Sequence, residues 1–165
     1  MTQLHRRALL GLLGTGSLAA FALGGKRAEA NPHGSHRHPV TLSDAAWQKK
    51  LGPKRYRILR KAGTEPPFSH RYNDEKRAGM YHCAGCDTPL FSSRTKYDSR
   101  SGWPAFWAAE DGVIHYARDT SMFMTRTEEH CARCGGHLGH VFDDGPQPTG
   151  KRHCINGLAL KFKPA

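Results

Sequence analysis

The chain has 165 residues, room for one domain around one core, which excludes a multidomain assembly. Only 38% of the residues are hydrophobic, so so small a core calls for a staple. The formal net charge of +11 directs attention to nucleic acid or an anionic surface as partner.

Part of that charge belongs to a segment with its own logic. HRRALLGLLGTGSLAAFALGGKRAEA carries Arg6 and Arg7, a Gly-containing apolar run from Ala8 to Leu23, and then Ala28, Glu29 and Ala30. That order predicts an export signal over residues 1–30. The apolar run is shorter than the roughly 20 residues that span a bilayer, which leaves a membrane anchor as the alternative. The paired arginines resemble a twin-arginine signal, a route for folded cargo, and imply a periplasmic protein beginning at Asn31. Loss of residues 1–30 would lower the formal charge to about +8.

Residues 31–40 are polar, rich in Gly and Pro, and hold His33, His36 and His38. This composition predicts a flexible linker, with metal binding by the histidines as the rival. The domain proper then spans residues 41–165. Ser43 caps a short helix that ends at Gly52, and Pro53 opens a second that Gly63 stops. Tyr56, Ile58 and Leu59 form the apolar stripe of the second helix. Beyond Phe68 the helical period disappears. GMYHC, TPLF, GVIHYA, SMFMTRTE, HLGHVF and HCINGLALKF are short alternating runs between turn signals. They predict a mainly β domain of antiparallel strands with short N-terminal helices at its edge.

Four of the five cysteines form two pairs of one spacing, Cys83 with Cys86 and Cys131 with Cys134. Each CxxC turn presents two thiolates, and two turns complete a tetrahedral structural zinc site. The 44 residues between the pairs exceed a zinc-ribbon gap, so such a metal would clamp hairpins distant in sequence. Two disulfides or a redox pair are the alternatives; a disulfide within a CxxC would constrain little of the chain.

Cys154 stands apart. In a strand, Arg152, Cys154 and Asn156 share one face, with His153 and Ile155 on the other. A guanidinium beside a thiol favours the thiolate, so Cys154 reads as a nucleophile, with a buried structural cysteine as the alternative. His137 and His140, near Gly135, Gly136 and Gly139, are acid–base candidates. Trp103, in a Gly-Trp-Pro turn, is either core or the apolar wall of a pocket.

GTEPPFS, CAGCDTPLFSS, KYDS, GWPAF and CGGHLGHVFDDGPQPTGKRHCIN, with the doubled CxxC, together resemble the B-type methionine sulfoxide reductases, from about Trp47 to Phe162. The resemblance implies a fold of two antiparallel β-sheets and reduction of the R epimer of methionine sulfoxide, free or in proteins and peptides. It further implies one zinc on Cys83, Cys86, Cys131 and Cys134, with Cys154 as the nucleophile that becomes a sulfenic acid. By position in the motif, His137, His140, Asp144, Arg152, Asn156 and Trp103 would line the site. A histidine, His153, stands before the cysteine where tyrosine is common, and Ser101 stands where many members carry a second, resolving cysteine. That departure implies recycling by an external reductant, a small thiol or a thioredoxin-like protein. A monomer without nucleic acid, and without membrane contact apart from export, is expected. The rivals are a basic zinc module on nucleic acid and a purely structural or metal-storage protein.

Overall fold

The computed structural model describes residues 37–165, so the export-signal segment and most of the His-rich linker lie outside the described residues. The linker's last residues are docked against the domain. The Val40 N–H donates to the Arg133 carbonyl (2.9 Å), and buried His38 sits with Nδ1 3.0 Å from the Ala132 carbonyl oxygen.

Helix α1 covers Asp44–Lys61, with the Ser43 side chain accepting from the Ala46 N–H as expected of its cap. The two expected helices form one element with a break in the middle. Gly52 adopts φ +67° and ψ 169°, a left-handed backbone, and Pro53 restarts the helix after it. Ala62, one residue before the expected stop at Gly63, takes the left-handed capping conformation with φ 48°. Trp47, Leu51, Tyr56, Ile58 and Leu59 are the buried face. The lysines and arginines of the helix leave it mostly solvated, as the stripe predicts. Among the described residues no helix is long and apolar enough to cross a membrane.

The remaining elements are strands joined by short 3-10 turns. They are β1 (Gly79–Cys83), β2 (Pro89–Ser92), β3 (Lys96–Tyr97), β4 (Ala105–Phe106), β5 (Ile114–Asp119), β6 (Arg126–Cys131), β7 (His137–Phe142), β8 (Arg152–Ile155) and β9 (Leu160–Pro164). They form two antiparallel sheets, one in the order β2-β1-β9 and one in the order β3-β4-β8-β7-β6-β5. GMYHC and HLGHVF coincide with β1 and β7. Two runs divide. SMFMTRTE splits into a 3-10 turn at Ser121–Phe123 and the start of β6. HCINGLALKF supplies β8 to one sheet and β9 to the other, with a turn at Gly157–Ala159 between them.

The core lies between the sheets and under α1. Tyr81, Leu90, Phe91, Phe106, Leu138, Ile155 and Leu160 are fully buried. Each such side chain contributes about 1.5–3 kcal/mol by leaving water. Phe106, from the two-residue β4, stacks on Phe91 at 4.5 Å and meets Tyr81 edge-on at 5.0 Å, which ties the two sheets.

Between β7 and β8 one glycine sets the spacing. A Cβ on Gly139 would lie 2.0 Å from the Cys154 carbonyl oxygen, a backbone atom that cannot swing aside. Only glycine lets the strands close in the register that places His140 opposite Cys154. Gly139→Ala should therefore destabilise the fold by about 1–3 kcal/mol or more, through forced strand separation. A lower urea midpoint, together with lost activity, is the expected result.

Candidate active site

The two CxxC segments fold as matching turns. The Asp87 N–H donates to the Cys83 carbonyl (2.9 Å), and the Gly135 N–H to the Cys131 carbonyl (2.8 Å). The residue after each second cysteine is left-handed, Asp87 at φ 65° and Gly135 at φ 67°. All four thiols are free and converge, with Cys83 and Cys134 sulfurs 3.7 Å apart and Cys86 and Cys131 sulfurs 3.4 Å apart. A disulfide would need sulfurs near 2.05 Å, so the disulfide alternative does not describe this arrangement. Four thiols around one point can hold a metal ion. They polarise one another through hydrogen bonds, Cys86 and Cys131 being pushed down in pKa and Cys83 and Cys134 up.

Cys154 lies in the middle of the larger sheet, opposite Ala105 of β4 on one side and His140 of β7 on the other. It is half-buried and opens into a small pocket with Trp103, Thr64, Arg126, His140 and Phe142. Arg152 and Cys154 share the exposed face of β8, while His153 and Ile155 are buried on the other. Burial raises the Cys154 thiol above its ordinary pKa, and the Ser101 hydroxyl and Arg152 guanidinium only partly oppose that. The expected thiolate-favouring effect of Arg152 is present but outweighed by desolvation.

Arg152 is itself fixed. Its Nε and Nη2 donate to the two Asp144 carboxylate oxygens (2.7 and 2.9 Å), and its guanidinium lies 4.3 Å from the Phe142 ring centre. Asp144 therefore acts through Arg152. Behind the strand, His153 makes a buried contact of 2.6 Å with Glu129.

The two candidate histidines have different surroundings. His140 lines the Cys154 pocket, and its Nε2 is 2.8 Å from Asp119 Oδ2. His137 is buried, with Nδ1 2.5 Å from Glu128 Oε1 and, among the described residues, no hydrogen-bond partner at Nε2. Their rings meet edge to face at 5.6 Å. Burial lowers the His140 pKa, with the Asp119 hydrogen bond opposing.

Asn156 lies just beyond β8, not in it, and its amide is committed to backbone. It accepts from the Glu65 N–H (3.0 Å) and donates to the Leu138 carbonyl (3.0 Å). It bridges loop and strand and lines the pocket. Trp103 donates from Nε1 to the Glu65 carbonyl (3.0 Å), so the tryptophan wall is pinned to the same loop. Glu65 in turn accepts from the Gly157 (2.6 Å) and Leu158 (2.9 Å) N–H groups. Trp103 is thus placed in the lining of the pocket.

The site brings together Cys154, His140, Trp103, Arg152 and Asn156, with His137 and Asp144 one contact further out. Glu65, Asp119, Arg126 and Glu128 were missed by sequence reading. Only GTEPPFS carried a signal for one of them, Glu65.

The SelR domain family matches residues 51–164. The chain belongs to this family, the B-type methionine sulfoxide reductases. A "Peptide methionine sulfoxide reductase MsrB" of Thioalkalivibrio sulfidiphilus is 54% identical, over 77% of this chain and 93% of its own length. One of the same description from Pseudomonas putida strain W619 is 57% identical over 72% and 90%. The human "Methionine-R-sulfoxide reductase B2, mitochondrial" is 51% identical over 76% and 73%. The enzyme reduces methionine R-sulfoxide to methionine, acts on oxidised methionine in proteins and draws on a thiol reductant.

Because burial raises the Cys154 thiol, its alkylation rate should climb with pH to a midpoint above that of an ordinary cysteine. Arg152→Met removes a charge that favours the thiolate, so the midpoint should move higher still. Alkylation of Cys154 at neutral pH should slow by about tenfold for each pKa unit of that shift. Peptide mapping across a pH series measures both.

Proposed function

We propose that Cys154 is the nucleophile of this reductase and that the reaction passes through a sulfenic acid which an external thiol resolves. The supporting observation is the placement of Cys154 opposite His140 in one pocket walled by Trp103. A sulfoxide sulfur is a poor electrophile until its oxygen gains a proton, so the site must supply a thiolate and an acid together. Burial favours the neutral forms of both Cys154 and His140. The proton that leaves the thiol on substrate binding is then the proton that His140 hands to the oxygen. Cys154 Sγ attacks the protonated sulfoxide sulfur. The hydroxyl passes from that sulfur to Sγ as its bond to the substrate and the transient sulfur–sulfur bond break, and methionine departs, leaving Sγ–OH on Cys154. Two external thiols then return Cys154 to the thiol, as one disulfide and water form. Trp103 offers the S-methyl group an apolar face, and Arg152 counters the developing thiolate charge.

The reading of external recycling rests on Ser101. Its hydroxyl lies 3.8 Å from the Cys154 sulfur, in the position where many B-type enzymes carry a second cysteine. The other four cysteines meet one another instead. Those four are assigned to one structural zinc. Tetrahedral zinc–thiolate bonds of about 2.3 Å put sulfurs about 3.8 Å apart, near the 3.4 and 3.7 Å of the cluster. The metal would serve as a staple and take no part in the chemistry. Export to the periplasm as a folded, metal-loaded monomer is the accompanying proposal, resting on Arg6, Arg7 and the apolar run that follows.

Activity on separated R and S epimers with a small thiol as reductant tests the central reading. R turnover that vanishes in Cys154→Ser is expected, since an alkoxide is not available at neutral pH; retained turnover in that variant would refute it. Elemental analysis should give one zinc per chain. Cys131→Ser should lose the metal and melt well below the parent, and normal stability without metal would contradict the staple. Replacement of Arg6 and Arg7 by lysine should keep the protein in the cytoplasm, and unchanged export would exclude the twin-arginine route.

A further inference from the structure

Both site histidines lean on carboxylates, but through opposite ring nitrogens: Nδ1 of His137 on Glu128, Nε2 of His140 on Asp119. The second arrangement bears on how the proton is delivered. Asp119 ends β5, paired in register with Arg126 at the start of β6. Its carboxylate is filled on both oxygens. Oδ2 receives Arg126 Nη2 at 2.7 Å and faces His140 Nε2 at 2.8 Å, while Oδ1 receives the Ser121 N–H at 2.8 Å. Burial would raise this carboxyl, yet hydrogen bonds from Ser121, His140 and Arg126 hold it well below the usual carboxylate range. It is therefore ionised throughout the working range of the enzyme.

An ionised carboxylate only accepts hydrogen bonds, so the hydrogen between these groups must sit on His140 Nε2. In neutral His140 the basic nitrogen is then Nδ1, and in the imidazolium Nδ1–H is the proton not already engaged by Asp119. We propose that Asp119, clamped by Arg126 and Ser121, is a positioning residue that fixes His140 in its Nε2–H tautomer and thereby makes Nδ1 the nitrogen that delivers the proton to the sulfoxide oxygen. This rests on the reading of His140 as the acid. Asp119 does not line the Cys154 pocket; it sets which nitrogen works and how the ring is turned.

The charged and titratable groups around His140 are Asp119 on β5, Arg126 on β6 with Glu128, the register partner of His140, His137 on the same strand as His140, and Cys154 opposite it on β8. Asp119 favours the imidazolium, whereas Arg126 and His137 disfavour it. In Asp119→Asn the charge that stabilises the cation is gone, and Arg126 is left uncompensated beside the ring. His140 must be neutral to take the Cys154 proton, so the pH at which kcat rises as His140 loses its own proton should move downward. An amide can also face Nε2 with either its oxygen or its nitrogen, so the tautomer is no longer dictated.

The test uses the full mature chain with R-sulfoxide peptide and a small thiol. Asp119→Asn should lower kcat by about 10–100-fold with little change in KM, and move the ascending limb of its pH profile lower. Asp119→Glu should recover part of kcat and return the limb towards its original position. In the parent protein, nitrogen-15 shifts of the histidine rings, with His140 assigned by loss of its signal in His140→Gln, should report the Nε2–H tautomer. That measurement needs only the parent and the assignment variant to fold. A His140 signal of the Nδ1–H tautomer, or an Asp119→Asn enzyme with an unmoved pH profile, overturns the proposal. Full activity in His140→Gln would instead overturn the reading of His140 as the acid, which separates the two failures.

Discussion

Four sulfurs converging on one point are the constraint on which the rest of the structure depends. Cys83 ends β1 of the three-stranded sheet and Cys131 ends β6 of the six-stranded sheet, so the cluster joins the two where neither shares a ladder. The N-terminal segment builds on the same place. Arg60 donates to the Cys134 carbonyl (3.0 Å), and the Val40 N–H to the Arg133 carbonyl. A Cβ on Gly135 would meet the His38 ring at 2.6 Å, and one on Gly136 would meet Leu59 at 2.8 Å. Glycine after the second CxxC thus serves both the left-handed turn and the close approach of linker and helix. For a core this small, a metal held by this cluster would clamp turns 44 residues apart and supply order that apolar burial alone would not.

The active site is the consequence of how the larger sheet is then threaded. β8 lies between β4 and β7, and Cys154 has a sheet neighbour on either side. Its backbone is held by the ladder, its back by the buried His153–Glu129 contact, and its front by a pocket. The pocket wall is carried by a loop that three residues share. Glu65 holds the turn at Gly157, Asn156 holds Glu65, and Trp103 hangs from the Glu65 carbonyl. Each polar group in that chain is paired, as burial requires. The pocket wall is thereby held by side chains paired to backbone groups.

The parts of this site that were legible in the sequence are those packed into one dense stretch, Cys131 to Asn156, where residue types and spacings carry their own chemistry. The second CxxC, His137, His140, Arg152 and Cys154 could all be picked out there. The carboxylates could not. Asp119 and Glu128 reach the histidines because β5, β6 and β7 pair in a particular register, and register is a tertiary outcome that no local pattern reveals. The two-residue strands β3 and β4 were invisible for a related reason, being too short to show alternation. Likewise HCINGLALKF read as one strand because its apolar residues continue across the turn that sends β9 to the other sheet. The pull of Arg152 on Cys154 was foreseen, but the stronger push from burial depends on packing and was not. The Arg6–Arg7 reading falls outside the described residues and stands on sequence alone.

Division of labour among the five cysteines is the central claim: four withdrawn into a clamp, and Cys154 left to react without an internal partner. Mass spectrometry of the protein after one turnover without reductant tests it most directly. The account predicts one added oxygen on Cys154, trapped by a sulfenic-specific nucleophile, with no new disulfide anywhere in the chain. A disulfide between Cys154 and any of Cys83, Cys86, Cys131 or Cys134 would contradict it, because a clamp sulfur would then be resolving the intermediate.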